Sequence, residues 1–239
     1  MSLKDKQIVV IGGSSGIGLA VAHGAAAQGA KVLVAGRDAH KLAAAAHAIP
    51  GIATEVLDAR DEEQVADYFA RIGSLDHLVV TAGGLVAASP LVTQDFAALR
   101  DAVVSKLYVS LLAAKHAAPR LRAGGSIGLT SGMLARKPTA NALVKTLINA
   151  ALEAAVRQMA KELAPLRVYA VSPGPVNTPS WAHLDDTARA AVFDKLNSTL
   201  PVGFAASPDD TAAAYLFAMQ ARALTGTVID LDSGALIAG

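Results

Sequence analysis

Ile8-Val9-Val10-Ile11-Gly12-Gly13-Ser14-Ser15-Gly16-Ile17-Gly18 is the stretch whose reading decides the fold of this chain. Four consecutive β-branched residues make a short strand that is apolar on both faces, the pattern of a strand buried inside a parallel sheet. The glycines that follow form a tight turn, and helical periodicity begins near Gly16. Glycine allows positive φ in such a turn and lets backbone N–H groups come close to a phosphate. The positive end of the helix dipole points at the same place. The spacing is G-x-x-x-G-x-G, a modest signal alone. Between a strand and a helix that open a βαβ unit, it predicts a cradle for the pyrophosphate of a dinucleotide, contacted by Gly12, Ser14, Ser15, Gly16, Ile17 and Gly18.

The same alternation runs outward to both ends. Strand-like runs occupy 7–11, 31–35, 54–57, 77–81, 126–130, 167–171 and 227–231, and helical periodicity fills 17–28, 62–72, 96–121 and 140–163. Short apolar strands separated by helices predict an α/β fold of the Rossmann type, a doubly wound parallel sheet of about seven strands covered on both faces. No linker or low-complexity segment interrupts the pattern, so residues 1–239 are expected to form one domain. A small substrate-covering segment is expected near 181–201, around Trp181, the only tryptophan.

Composition narrows the function class. A formal net charge of +1 provides no global field for nucleic acid or a membrane surface, and neither is expected as a partner. There are no cysteines, which excludes disulfides, a cysteine nucleophile and thiolate metal sites together. The histidines show no metal-ligand spacing, and no metal is expected. Mean hydropathy is high at +0.40, yet charged residues and glycines break every apolar run below bilayer length. The surplus apolar surface is expected in subunit interfaces. Without a signal-peptide pattern at Met1 to Lys6, the expected location is the cytoplasm.

The end of the second strand selects between two dinucleotides. An acidic residue there holds the ribose 2′-OH of NAD, and a basic one accommodates the 2′-phosphate of NADP. The sequence is Val34-Ala35-Gly36-Arg37-Asp38, with glycine at the acidic position and Arg37 after it. Asp38 reads as the N-cap of the next helix. NADP(H) is therefore expected ahead of NAD(H), with Arg37 as the phosphate ligand.

At this point the chain resembles the short-chain dehydrogenase/reductase family over nearly its whole length. Gly12, Gly16 and Gly18 match the family's T-G-x-x-x-G-x-G loop, with Ile11 in place of the threonine. By resemblance, Asp58 of Leu57-Asp58-Ala59 contacts the adenine amino group, and Thr81-Ala82-Gly83 lies beside the adenosine. Ser172-Pro173-Gly174-Pro175-Val176-Asn177-Thr178 is similar to the turn that lines the nicotinamide, which implies cofactor contacts for Pro173, Gly174, Val176 and Thr178. The resemblance also implies a homotetramer or homodimer built on the long helices, acting on a small carbonyl or alcohol.

The catalytic positions depart from the family's pattern of Asn, Ser, Tyr and Lys. Counting from Lys161-Glu162-Leu163-Ala164-Pro165 puts the Tyr-x-x-x-Lys pair on Lys145 and Asn149. Counting from Pro119 puts the Asn on Lys106, and the strand ending at Thr130-Ser131 offers Ser131 as the Ser. A register shifted by one helical turn, pairing Asn141 with Lys145, still provides no tyrosine. Tyr68, Tyr169 and Tyr215 fall elsewhere, and Tyr108, two residues past Lys106, should face another way. Hydride chemistry needs a donor aimed at the oxygen where charge develops, a task open to Ser131 and a desolvated lysine. Lys145 is expected to serve as acid/base with Lys106 assisting it, their proximity bringing one of the two toward neutrality, and two lysines in a cleft favour an anionic or carbonyl-rich substrate. The competing reading is a non-catalytic NADP(H)-binding regulatory or sensor protein.

Overall fold

A computed structural model describes residues 2–83 and 88–238. Seven parallel strands form one sheet: β1 (Gln7–Ile11), β2 (Lys31–Gly36), β3 (Ala53–Val56), β4 (Leu75–Val80), β5 (Leu121–Thr130), β6 (Arg167–Pro173) and β7 (Thr227–Leu231), in spatial order β3-β2-β1-β4-β5-β6-β7. In β1, Val10 stands between Val34 of β2 and Val79 of β4. Its alternating side chains feed two cores. Ile8 and Val10 enter one, Val9 and Ile11 the other, and none is more than 2% exposed. This is why the run reads as apolar throughout.

Helices cover both faces. α1 (Gly16–Ala27), α2 (Ala39–Ala48) and α8 (Pro208–Gln220) supply the core that holds Val21, Leu42 and Tyr215. α3 (Glu62–Ile72), α5 (Val109–Ala117) and α6 (Leu143–Glu162) supply the other, with Phe69, Ala113 and Leu152. α7 (Asp186–Thr199) lies beyond β6. Asp38 caps α2 by accepting from the N–H groups of His40 and Lys41, both at 3.0 Å, and Asp61 caps α3 in the same way.

The stretch expected as one helix over 96–121 is subdivided. α4 (Phe96–Val103) passes into a π-helical turn, Val104–Tyr108, before α5, and a short 3₁₀ turn then delivers the chain to β5 at Leu121. Each widened turn inserts a residue and rotates the side chains that follow, and such turns recur at functional positions. Here it carries Lys106.

No described helix is long and apolar enough to cross a membrane. Leu78, central in β4 and fully buried, tests the packing directly. Leu78→Ala should lower the free energy of unfolding by about 2–5 kcal/mol, measured by chemical denaturation.

Candidate functional site

From β1 the chain runs outward through β2 to β3, then returns to place β4 on the other side of β1. Crevices in open parallel sheets form at this kind of switch point, above the carboxyl ends of the strands. A cleft of about 810 Å³ lies there.

Its floor depends on close backbone approach. A Cβ on Gly12, whose φ is +85°, would stand 2.6 Å from the Ala82 nitrogen, and one on Gly18 would overlap the Gly12 carbonyl and Thr81 Oγ1. Thr81 joins the two strand ends by donating its hydroxyl to the Gly12 carbonyl at 3.1 Å. Ser15 precedes α1 without capping it through its side chain, so the N–H groups of the first turn stay available to a ligand. Ser14, Ser15, Gly16, Ile17 and Gly18 all line the cleft. This geometry fits a phosphate at the helix N-terminus.

The cleft continues past the end of β2. Gly36 leaves open space, its nearest neighbour being Ser14 Oγ at 3.5 Å from where a Cβ would sit. Arg37, Lys41 and Arg60 line this end, with Asp58 and Ala59 between them. Asp58 is gripped by Arg60, Nη2 to Oδ2 at 2.6 Å and Nε to Oδ1 at 2.9 Å. Those bonds, with the Arg37 charge nearby, hold its carboxyl down to about 2. Asp38 also lines this end, with its Oδ1 committed to the N–H groups of His40 and Lys41. Lys41 and Arg60 were not singled out by the sequence reading. Arg60 could have been noticed two residues after Asp58, and Lys41 one helical turn after Arg37.

Thr81, Ala82 and Gly83 line the side formed by β4, and Thr178 the side formed by the turn after β6. Pro173, Gly174 and Val176 do not border the cleft among the described residues. Gly174 is folded against Asp232, and the Val176 carbonyl accepts the Trp181 indole N–H at 3.0 Å. Trp181 rests edge-on against Phe193, ring centroids 5.4 Å apart, and so anchors α7.

Beyond Gly83 the polar constellation begins. The stem of Lys106 passes over Gly83, and its ammonium donates to the Ser131 carbonyl at 3.0 Å and to Asn149 Oδ1 at 2.7 Å. Burial and the Lys145 charge lower the Lys106 pKa to about 8. No described carboxylate forms an ion pair with either lysine. Lys106, Ser131 and Asn149 therefore come together, with Lys145 one turn before Asn149 on α6.

Ser131 requires a correction. Its hydroxyl does not face the cleft; it is 2% exposed and donates to Glu153 Oε1 at 3.0 Å. Glu153 is a buried carboxylate on α6, paired with Arg136 Nε at 3.3 Å, and it accepts the Ser131 hydroxyl. Glu153 escaped the sequence reading because its helical position looks like any other on α6. None of the four tyrosines borders the cleft. Tyr68, Tyr169 and Tyr215 are fully buried, and Tyr108 is exposed on the π turn. No group of acidic or histidine side chains among the described residues could hold a metal ion.

Residues 11–235 match the family described as "Enoyl-(Acyl carrier protein) reductase". The chain is similar to the short-chain dehydrogenase/reductase ATR9 of Stachybotrys chlorohalonatus, 33% identical over 99% of both chains. It is also similar to the cis-2,3-dihydrobiphenyl-2,3-diol dehydrogenase of Paraburkholderia xenovorans, 29% identical over all of this chain and 94% of that one. Among solved structures, a small-chain dehydrogenase in complex with NADPH superposes with a TM-score of 0.86 at 41% identity, over 98% of this chain and 100% of that one. The chain belongs to the short-chain dehydrogenase/reductase family, oxidoreductases that use a nicotinamide cofactor.

Gly18→Ala tests the floor of the cleft. The added methyl would displace the Gly12 carbonyl and the first turn of α1, so a nicotinamide dinucleotide should bind at least roughly tenfold more weakly, the effect of losing one charge-assisted hydrogen bond. Isothermal titration measures the loss, and an unchanged circular dichroism spectrum shows that the sheet persists.

Proposed function

We propose that the chain is an NADP(H)-dependent oxidoreductase that interconverts a small carbonyl and its alcohol, with Lys106 as the acid/base group. The observation that carries this reading is the Lys106 ammonium, bonded to Asn149 and the Ser131 carbonyl, on a side chain that packs over Gly83 at the edge of the cleft.

The glycine loop and the first turn of α1 would hold the pyrophosphate, Asp58 and Thr81 to Gly83 the adenosine, and Thr178 the part nearer the nicotinamide. Arg37 and Lys41, with Ser14 facing Gly36, would surround a 2′-phosphate. The bound cofactor supplies or accepts the hydride. The proton and the developing charge on the substrate oxygen fall to the protein.

Lys106 suits that work better than Lys145, reversing the roles expected from the sequence. An ammonium has three N–H groups. Two are committed to Ser131 and Asn149, which leaves one for a substrate oxygen. With a pKa of about 8, Lys106 is protonated enough to donate near neutrality and neutral enough to accept on the alkaline side. Lys145 contributes positive charge that keeps this pKa low. The Asn and Lys of the family pattern thus stand exchanged between the π turn and α6.

The substrate is left open by the relatives, whose names span different chemistries. Exposed apolar side chains on the elements flanking the site, including Phe96, Tyr108, Leu111 and Leu147, support subunit association. Light scattering behind a sizing column distinguishes a dimer or tetramer from a monomer.

Four measurements test the reading. A carbonyl and alcohol panel followed at the nicotinamide absorbance should show turnover; tight NADPH binding without turnover of any compound would overturn it. Arg37→Glu with Lys41→Ala should weaken NADPH roughly 10–100-fold and spare NADH, matching the loss of about 1.5–3 kcal/mol in charged hydrogen bonds. Lys106→Met should reduce kcat/KM by roughly 10²–10⁴-fold. In the unmodified enzyme, reduction requires the protonated lysine and should fall as pH rises through about 8, while oxidation requires the neutral amine and should rise through the same value. A profile with no inflection there removes Lys106 from the acid/base role.

A further inference from the structure

Asn149 stands where the family pattern has lysine, and its side-chain amide has two ends with different fates. The oxygen end is settled by chemistry. A lysine ammonium only donates, so the atom 2.7 Å from Lys106 Nζ must be Oδ1, and the amide cannot be turned round. The nitrogen end is then fixed on the opposite side, against Gly132.

That Nδ2 group donates to no described residue, although Asn149 is only 6% exposed. An almost buried N–H donor held in one orientation, with no acceptor among the described residues, is suited to an acceptor from a bound molecule.

Gly132 makes the room. Its φ of 167° is extended backbone that any residue adopts, so conformation does not demand glycine here. Space does, because a Cβ would lie 2.8 Å from Asn149 Nδ2. Ser131, the neighbouring hydroxyl, is turned away to Glu153 and the Asn149 carbonyl.

We propose that Asn149 Nδ2 is the second hydrogen-bond donor to the reacting substrate oxygen, acting beside Lys106, and that Gly132 is glycine to leave that donor and the oxygen unobstructed. The substrate oxygen then meets a neutral donor and a cationic donor bridged by one hydrogen bond, with no hydroxyl required. Donors placed where negative charge develops strengthen as the carbonyl becomes an alkoxide, so Asn149 should act more on kcat than on KM. The inference rests on the oxidoreductase reading above.

The test uses the full chain with NADP+ bound, and three variants. Asn149→Leu removes the donor, Asn149→Asp keeps an acceptor for Lys106 without the N–H, and Gly132→Ala displaces the amide without straining the backbone. Nitrogen-15 spectra are recorded while trifluoroethanol, an alcohol that resists oxidation, and isobutyramide, an unreactive carbonyl, are titrated in. Asn149 side-chain resonances, assigned by their loss in Asn149→Asp, should shift and saturate with at least one probe in the wild type. Binding should weaken at least roughly tenfold in all three variants. With any substrate that is turned over, kcat should fall roughly 10²-fold or more in Asn149→Leu and Gly132→Ala, while the NADPH dissociation constant stays within about twofold. Saturable probe binding that leaves the Asn149 resonances unmoved, or variants with wild-type kcat, would overturn the proposal and spare the oxidoreductase reading. If neither probe binds and no panel compound is turned over, that reading falls and this proposal with it.

Discussion

The site depends on one topological constraint, the reversal of strand order at β1. Strands on its left are reached first and those on its right afterwards, so α1 and α3 leave toward opposite faces and neither closes the space above β1 and β4. That vacancy is useful only if the backbones beside it come close together. Gly12, Gly18 and Thr81 tie the β1 turn to the end of β4 with contacts that allow no added carbon. The start of α1 then faces the cleft without a side-chain cap of its own, a cost in helix stability that a bound anion offsets.

Positive charge marks both ends of this region, and the physics differs. Around Asp58, the cations Arg37, Lys41 and Arg60 stand near solvent, where screening makes each one weak and only convergence on a multiply charged group adds up. Lys106 is a single, half-buried cation. Its energetics are set by desolvation and by a like charge on Lys145, and they appear as a lowered pKa rather than as long-range attraction. The first arrangement suits recognition of a phosphate. The second suits moving a proton.

How far the sequence reveals this follows from what each feature requires locally. Strands buried on both faces announce themselves, and β1 and β7 begin and end where the apolar runs do. The glycine loop and Asp38 are legible because turns and caps have short-range chemistry. The π turn at Val104–Tyr108 is not, since helical periodicity tolerates one inserted residue, and the single helix expected over 96–121 divides there. Side-chain direction at a strand end is worse. Ser131 and Gly132 are adjacent, and whether a hydroxyl faces the cleft depended on Glu153, 22 residues away. The choice between Lys106 and Lys145 needed the burial of one ammonium, a property of packing.

Glu153 also explains why the Ser131 hydroxyl points inward. A buried carboxylate must be paired and hydrogen-bonded, and this one is held by Arg136 on one oxygen and by the Ser131 hydroxyl on the other. Arg136 in turn bridges to Asp230 of β7 and to Ser172 of β6. With its hydroxyl fixed inward, Ser131 offers its carbonyl to Lys106, and the same lysine clamps the Asn149 amide. One inward serine therefore sets the orientation of both groups that remain beside the cleft. The ammonium, whose desolvation is partly offset by those two hydrogen bonds, carries a proton that it can release near pH 8, where an unperturbed phenol, with a pKa of about 10, would still hold its own.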